Sequence, residues 1–215
     1  MEFSTDSAAE VKKSKRYPLS NTDINALLPG VPISTYARFG DAPPLDTVLD
    51  AHGRGIVLFV KSMEGGVMNG HWLAIVARSD STVLLFDPYG GRTDPWGLDH
   101  GFVDGGAAEL SELGESRPLL APYFERRGYK PVYNTTRLQV MSSDIGTCGR
   151  HCVVRLWRAN TGDAEYKEWI TGFGVKPDEV VTRLTDDALD ASKKPSNNDD
   201  DDDDESVSDG FGEDA

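Results

Sequence analysis

Cys148 has the sequence surroundings of a catalytic thiol. The small residues of the stretch 144–149 (Asp-Ile-Gly-Thr-Cys-Gly) predict a turn, and the apolar residues that follow predict a helix. A thiol attacks a carbonyl carbon only as the thiolate, and a helix N-terminus stabilises a negative charge by about 0.3–1 kcal/mol. We therefore interpret Cys148 as a candidate nucleophile at the start of a helix. For a cysteine taken alone, inert packing in a core is the commoner role.

A nucleophilic cysteine needs a base, and His71 is the best placed histidine. It directly precedes the apolar stretch 72–76, which predicts a strand. Among the other histidines, His151 lies three residues after Cys148 on the predicted helix and is a minor rival. His52 and His100 do not stand at the start of a predicted apolar strand. The ordinary alternative for His71 is a partly exposed histidine at the start of a strand.

Asp87 is the candidate carboxylate that orients the imidazole. It ends the apolar stretch 82–87, which predicts a strand, and only a short polar turn separates this stretch from the preceding predicted strand. Two strands joined this closely are expected to form an antiparallel hairpin, whose register would bring Asp87 beside His71. A carboxylate there fixes the tautomer of the imidazole and stabilises the imidazolium. The ordinary alternative is an aspartate that begins a turn before proline.

Gln139 is the candidate hydrogen-bond donor to the oxyanion. When a thiolate attacks a carbonyl carbon, the carbonyl oxygen becomes negatively charged and needs donors around it. The side-chain amide of Gln139, nine positions before Cys148, can act there together with the backbone N–H of Cys148. Taken alone, Gln139 is more commonly an ordinary glutamine at the end of a strand.

The second cysteine, Cys152, lies one helical turn after Cys148 and can share its helix face. Two cysteines four positions apart make no disulfide framework, and without a second ligand pair they form a weak zinc site. We assign Cys152 to core packing, with a regulatory disulfide as a minor alternative. The chemistry requires no metal and no cofactor, and a catalytic thiolate implies a reducing compartment.

The composition indicates one globular domain with polar ends. The chain has 215 residues, of which 38% are hydrophobic, and this suffices for one domain with a core. No apolar stretch is long enough to predict a membrane span, and residues 1–16 lack the apolar segment of a signal peptide. The formal charge is −14, of which residues 192–215 contribute −8, so the charge does not indicate a large nucleic-acid footprint.

We predict three parts in the chain: a flexible N-terminal tail at residues 1–16, one domain at 17–191 and a disordered acidic tail at 192–215. Hydrophobic periodicity and capping residues predict helices near residues 20–28, 45–52, 119–126, 147–160, 164–171 and 178–189. Compact apolar or β-branched stretches predict strands at 55–60, 71–76, 82–87 and 132–139. Stretches rich in glycine or proline predict loops at 29–44, 61–70 and 88–104.

These motifs and their order resemble those of the adenovirus-type, or adenain-like, cysteine proteases, which are related to the proteases of SUMO and ubiquitin-like modifiers. The resemblance rests on residues 70–75 (Gly-His-Trp-Leu-Ala-Ile), on 86–90 (Phe-Asp-Pro-Tyr-Gly), and on Gln139 followed by 147–149 (Thr-Cys-Gly). It implies an α+β fold of the papain-like, adenain type, in which helices flank a central mixed sheet.

The resemblance also implies a role for each matching residue. His71 is the base, Asp87 its partner and Cys148 the nucleophile. Gln139 supplies the oxyanion hole, although its spacing to the cysteine is longer than the resemblance implies. Asn134 is the alternative amide for that role. Trp72 and Gly149, which flank the histidine and the cysteine, are the candidate substrate-binding residues.

By the same resemblance, the chain is a thiol endopeptidase whose narrow cleft admits glycine near the scissile bond. Large DNA viruses and virophages carry short proteases of this type, which mature capsid precursor proteins. One alternative is a protease that processes or deconjugates a SUMO- or ubiquitin-like modifier. The non-enzyme alternative is a catalytically silent binding module associated with the capsid.

The expected partners follow from these functions. They are a protein substrate, either capsid precursors or a ubiquitin-like protein, and a peptide or nucleic-acid activator, with no membrane. The protein is expected to be a monomer that is found in the virion and in the cytoplasm or nucleus of the host cell, and not to be secreted.

Overall fold

The computed structural model describes residues 8–64, 67–91, 94, 106–142 and 144–193. Within these residues the helices are α1 Ala8–Arg16, α2 Asn21–Leu27, α3 Gly106–Glu112, α4 Leu120–Glu125, α5 Cys148–Trp157, α6 Asp163–Thr171 and α7 Pro177–Lys193. The strands are β1 Ile33–Thr35, β2 Arg54–Glu64, β3 Val67–Ala77, β4 Thr82–Phe86 and β5 Lys130–Tyr133, and two short 3-10 helices lie at Tyr36–Asp41 and Leu45–Thr47. No helix in the described part of the chain is long and apolar enough to cross a membrane.

The strands form one mixed sheet in the order β1-β2-β3-β4-β5. The two outer pairs, β1 with β2 and β4 with β5, are parallel. The two inner pairs, β2 with β3 and β3 with β4, are antiparallel. Helices pack against the sheet, so the predicted α+β class with a central mixed sheet is confirmed. The predicted hairpin between the second and third apolar strands is confirmed as β3 and β4, in which Ala74 pairs with Phe86.

The sheet separates two hydrophobic cores because successive side chains of a strand point to opposite faces. On one face, alternate apolar residues of β2, β3 and β4 pack with residues of α2, α5, α6 and α7, and Trp72 and Cys148 belong to this core. On the other face, the intervening residues pack with the first 3-10 helix, with α4 and with Tyr89. Cys148 and Tyr89 therefore lie in different cores, and His71 lies between them.

The β2–β3 hairpin is longer than the sequence predicts. Residues 61–70 were expected to form a glycine-rich turn, but β2 continues to Glu64 and β3 begins at Val67. His71 therefore lies inside β3, opposite Phe59, and not at the start of a strand. Gly70 is required by this pairing because a Cβ atom there would lie 1.9 Å from the carbonyl oxygen of Phe59. Backbone pairing extends both strands past the end of the apolar pattern.

The fourth predicted strand and two neighbouring predictions are also revised. The strand expected at 132–139 is β5, which ends at Tyr133, because the side chain of Asn134 hydrogen-bonds with the backbone of Asp87. The loop expected at 29–44 contains β1 and a 3-10 helix, and the helix expected at 45–52 is the 3-10 turn Leu45–Thr47. The predicted loop at 88–104 lies mostly outside the described residues.

Residues 8–16 are helical, whereas the sequence predicts a flexible tail at residues 1–16. Residues 8–16 form α1, in which Val11 is buried, and α1 packs against α7. A nine-residue helix is only marginally stable by itself in water, so the contact with α7 accounts for its formation. Helix α7 continues to Lys193, and the rest of the acidic tail, like residues 1–7, lies outside the described residues.

Candidate active site

His71 and Asp87 form a buried pair at the end of the β3–β4 hairpin. The Nε2 atom of His71 lies 2.9 Å from Oδ1 of Asp87. Both residues are almost completely buried, with exposures of 1% and 0%. The antiparallel register that the sequence predicts therefore brings the two residues together. A carboxylate in this position fixes the orientation of the ring and stabilises its protonated form.

Asn134 holds Asp87 in place. Its side-chain oxygen accepts the backbone N–H of Asp87 at 2.8 Å, and its side-chain nitrogen donates to the backbone carbonyl of Asp87 at 2.7 Å. The Asp87 carboxylate also accepts the backbone N–H of Tyr89 at 2.8 Å. The alternative amide for an oxyanion hole thus has both ends of its side chain on the Asp87 backbone, where it supports the carboxylate.

Cys148 is the first residue of α5, and it is buried against β3 with an exposure of 6%. The imidazole of His71 and the backbone N–H groups of Trp72 and Gly149 interact with its sulfur. Because Nε2 of His71 binds Asp87, Nδ1 is the ring nitrogen that remains for the thiol. Cys148, His71 and Asp87 therefore form one series of interacting groups, in which His71 lies between the thiol and the carboxylate.

The ionisation of this series favours a thiolate and an imidazolium. Burial raises the pKa of the Cys148 thiol, but the hydrogen bond and charge of His71 and the two backbone donors outweigh it, and the net pKa is lowered. For His71, burial lowers the pKa, but the charge and hydrogen bond of Asp87 and the interaction with Cys148 outweigh it and raise the pKa to about 9. Burial raises the pKa of Cys152, so the two thiols differ sharply in acidity.

Tyr89 is a component of the site that the sequence reasoning left without a role. Its ring stacks on His71, with ring centroids 4.9 Å apart and an interplanar angle of 12°. Burial, followed by the nearby charges of Cys148 and Asp87, raises the pKa of Tyr89, so the ring remains a neutral phenol. The only sequence signal was its position in the stretch 86–90, two residues after Asp87.

Gln139 is buried beside Tyr89. Its Nε2 atom donates to the Tyr89 hydroxyl at 3.2 Å and to the Ile145 carbonyl at 3.4 Å, and its Oε1 atom has no hydrogen-bond partner. The backbone N–H groups of Leu138 and Gln139 both donate to the carbonyl of Pro88, at 2.9 and 3.0 Å. This contact places Gln139 next to the end of β4. The structure thus places the amide beside Tyr89, whose ring stacks on the imidazole of His71.

Trp72 and Gly149, the predicted substrate-binding residues, pack against each other. A Cβ atom on Gly149 would lie 3.0 Å from Cδ1 of Trp72 and 3.3 Å from Cβ of Leu19. The indole N–H of Trp72 donates to the Leu19 carbonyl at 3.2 Å, and Trp72 is 5% exposed. Their contact with substrate stays a prediction. The close packing against Trp72 explains why the residue after Cys148 is glycine, which has no Cβ atom.

We expect the substitution Gly149→Ala to destabilise the fold and displace Trp72. The added methyl group has to move the indole ring or the start of α5, and such overpacking costs about 1–3 kcal/mol. Urea unfolding followed by tryptophan fluorescence measures this loss. The matched control is Gly40→Ala, whose Cβ would meet only ordinary contacts at 3.7 Å. Equal stability of the two variants would show that the Gly149–Trp72 contact is not tight.

His151 and Cys152 have partners other than the candidate nucleophile. The Nε2 atom of His151 lies 3.2 Å from Oδ1 of Asp178, and both residues are buried. The thiol of Cys152 donates to the carbonyl of Trp72 at 3.3 Å, and both cysteines are free. His71, and not the rival His151, is therefore the histidine whose imidazole interacts with the Cys148 thiol.

Comparison with known proteins finds a viral relative. Uncharacterized protein V9 of Sputnik virophage is 30% identical to the chain over 181 residues, which cover 82% of the chain and 98% of the relative. No family model matches the chain. The relative points to a viral origin, and its name states no activity.

Proposed function

The chain belongs to the same family as protein V9 of Sputnik virophage, and on that premise we propose that it is a cysteine endopeptidase that matures viral proteins. One observation carries the proposal. The thiol of Cys148, at the N-terminus of a helix, interacts with an imidazole that is hydrogen-bonded to a buried carboxylate, which orients the ring and stabilises its charged form. An inert core cysteine, such as Cys152, has a raised pKa and needs no such partners.

In the first chemical step, the Cys148 thiolate attacks the carbonyl carbon of the scissile peptide bond. The carbonyl oxygen becomes an oxyanion, which accepts hydrogen bonds from the backbone N–H of Cys148 and from the side-chain amide of Gln139. For this, the Gln139 amide turns from the Tyr89 hydroxyl toward the oxyanion. His71 then gives its proton to the leaving amine, the C–N bond breaks, and a thioester forms on Cys148.

In the second step, water hydrolyses the thioester. Neutral His71 takes a proton from the attacking water, the hydroxide adds to the thioester carbonyl, and the C–S bond breaks. The Cys148 thiolate and the His71 imidazolium are restored. Asp87 remains ionised throughout and stabilises the imidazolium, as a carboxylate does in related triads.

The substrate assignment rests on the resemblance and on the viral relative. The sequence motifs resemble those of adenain-like proteases, and we assign the chain to their papain-like fold. A virophage relative favours capsid precursors as the substrates, with cleavage beside small residues and glycine, and location in the virion or infected cell. The alternative substrate is a SUMO- or ubiquitin-like modifier, and a peptide or nucleic-acid activator is a further expected partner.

Incubation of the purified chain with capsid precursors of a virophage, and separately with a SUMO-type precursor, tests the proposal. We expect cleavage of the capsid precursors by the wild type and by Cys152→Ala, and none by Cys148→Ala. Cleavage of the modifier alone would support the deconjugating alternative. Equal products with wild type and Cys148→Ala, or no products together with slow labelling of Cys148 by a thiol reagent, would favour the silent binding module.

A further inference from the structure

Asp178, at the start of α7, is a buried carboxylate beside the segment that precedes Cys148. It is 2% exposed. Its Oδ2 atom accepts the backbone N–H of Val140 at 3.0 Å, and its Oδ1 atom accepts the hydroxyl of Thr147 at 2.5 Å and faces Nε2 of His151 at 3.2 Å. One side chain thus receives hydrogen bonds from three separate positions.

Two of these donors are next in sequence to the residues assigned to the oxyanion site. Val140 directly follows Gln139, and Thr147 directly precedes Cys148. Asp178 therefore binds both ends of the segment 140–147, which connects the two groups assigned to the oxyanion. At its first end the segment reaches the surface, where Val140 and Met141 are 42% and 46% exposed.

The negative charge of Asp178 strengthens its hydrogen bonds to the two ends of the segment. Burial raises the pKa of its carboxyl, but the hydrogen bond and charge of His151 and the bonds from Thr147 and Val140 outweigh burial, and the net pKa is lowered. The side chain is therefore ionised at neutral pH, and an ionised acceptor forms hydrogen bonds about twice as strong as those of a neutral one. A buried carboxylate would be costly without these donors.

We propose that Asp178 is a positioning residue of the oxyanion site, which acts by holding the two ends of the segment 140–147 together. The proposal rests on the proposed function, since it assumes that Gln139 and the N–H of Cys148 stabilise an oxyanion. Both donors must lie close to hydrogen-bond distance from one oxygen, and a displacement of about 1 Å can cost about 10²-fold in rate. The spacing from Gln139 to Cys148 is longer than the resemblance implies, and a longer segment has more conformations for such an anchor to restrict.

Two substitutions test the role, a third is the matched control, and a fourth restores one of the lost groups. Asp178→Asn keeps the shape but removes the charge, and Thr147→Val removes one hydroxyl while Asp178 stays intact. Asp186→Asn is the control because Asp186 also lies on α7 and binds α5, through Arg150 at 2.6 Å, away from the segment. Thr147→Ser, which keeps a hydroxyl, should recover most of what Thr147→Val loses.

Each variant is assayed for hydrolysis of a fluorogenic peptide amide ending in Gly-Gly and for alkylation of Cys148 by iodoacetamide. Alkylation forms no oxyanion, so it reports only on the thiolate and His71. We expect Asp178→Asn and Thr147→Val to lower kcat by about 10- to 100-fold, with KM and the alkylation rate changed less than about threefold. Asp186→Asn should leave all three values unchanged.

Hydrogen exchange of the backbone amides in the segment 140–147 measures how firmly Asp178 holds this segment. We expect faster exchange there in Asp178→Asn and Thr147→Val than in the wild type. Unchanged exchange, or faster exchange with unchanged kcat, would overturn the positioning role. A parallel loss of kcat and of alkylation would also overturn it, since Asp178 would then support the thiolate or the whole fold. If wild-type Cys148 reacts no faster than a free thiol, the proposed function itself fails, whatever the exchange result.

Discussion

Replacement of Cys148 by alanine is expected to abolish peptide hydrolysis, with a loss of about 10⁴-fold or more in kcat/KM. The reason is that in the proposed mechanism the thioester forms on the sulfur of Cys148. The neighbouring thiol of Cys152 is completely buried, bonded to the Trp72 carbonyl and raised in pKa, so it cannot replace Cys148. Initial rates on a peptide amide ending in Gly-Gly, over a range of enzyme concentrations, measure the loss.

Iodoacetamide labelling at neutral pH, read by mass spectrometry, separates the two thiols within the same chain. We expect rapid labelling of Cys148 and slow labelling of Cys152, and the rate at Cys148 should fall at least about tenfold in His71→Ala, because the imidazolium stabilises the thiolate. Cys152→Ala is the control and should hydrolyse peptide like the wild type. Equal labelling of both cysteines, unaffected by His71→Ala, would contradict the nucleophile assignment.

The second large effect is on the pH dependence of kcat/KM. The active form holds a thiolate and an imidazolium. As pH falls below the lowered pKa of Cys148, the thiolate is protonated and the rate decreases. As pH rises through the His71 pKa of about 9, the proton needed by the leaving amine is lost and the rate decreases again. We therefore expect a bell-shaped profile whose alkaline limb lies near pH 9, both limbs being properties of the coupled pair.

The substitution Asp87→Asn should move the alkaline limb. Without the carboxylate charge, burial dominates the environment of His71 and lowers its pKa, so the limb should shift down by about 1 to 3 pH units. The rate at the optimum should fall about 10²-fold or more, because no carboxylate then orients the ring of His71 and stabilises its protonated form. An asparagine oxygen can still accept the Tyr89 N–H that Asp87 accepts, which limits the effect on the fold. An alkaline limb that stays near pH 9 in the variant would show that Asp87 does not set the pKa of His71.

The local sequence was sufficient for those parts of the site that lie on one hairpin or one helix end. The apolar stretches of β3 and β4 and the short turn between them predict antiparallel pairing, and this pairing places Asp87 beside His71. The turn before an apolar helix places Cys148 at the start of α5. In each case, the alternation of apolar residues or the position of a turn, within about 20 residues of sequence, determines where the side chain lies.

The predictions failed where long-range contacts compete with local patterns. Residues 8–16 are mostly polar and charged, yet they form a helix, which packs against α7 and buries Val11. The strand predicted to reach Gln139 ends at Tyr133, because Asn134 hydrogen-bonds with Asp87 on the neighbouring strand. Local propensity carries no information about such partners.

By itself, the sequence determined the order of the candidate residues His71, Asp87, Gln139 and Cys148 along the chain and the hairpin that joins the first two. Only the tertiary structure decided that Tyr89 stacks on the imidazole and that Gln139 lies beside it. The tertiary structure also placed Asp178, which comes 30 residues after Cys148, at both ends of the segment before it. The physical reason is that hydrogen bonds and ring stacking act over a few ångströms in space, and chain separation sets no limit on which residues the packed cores bring that close.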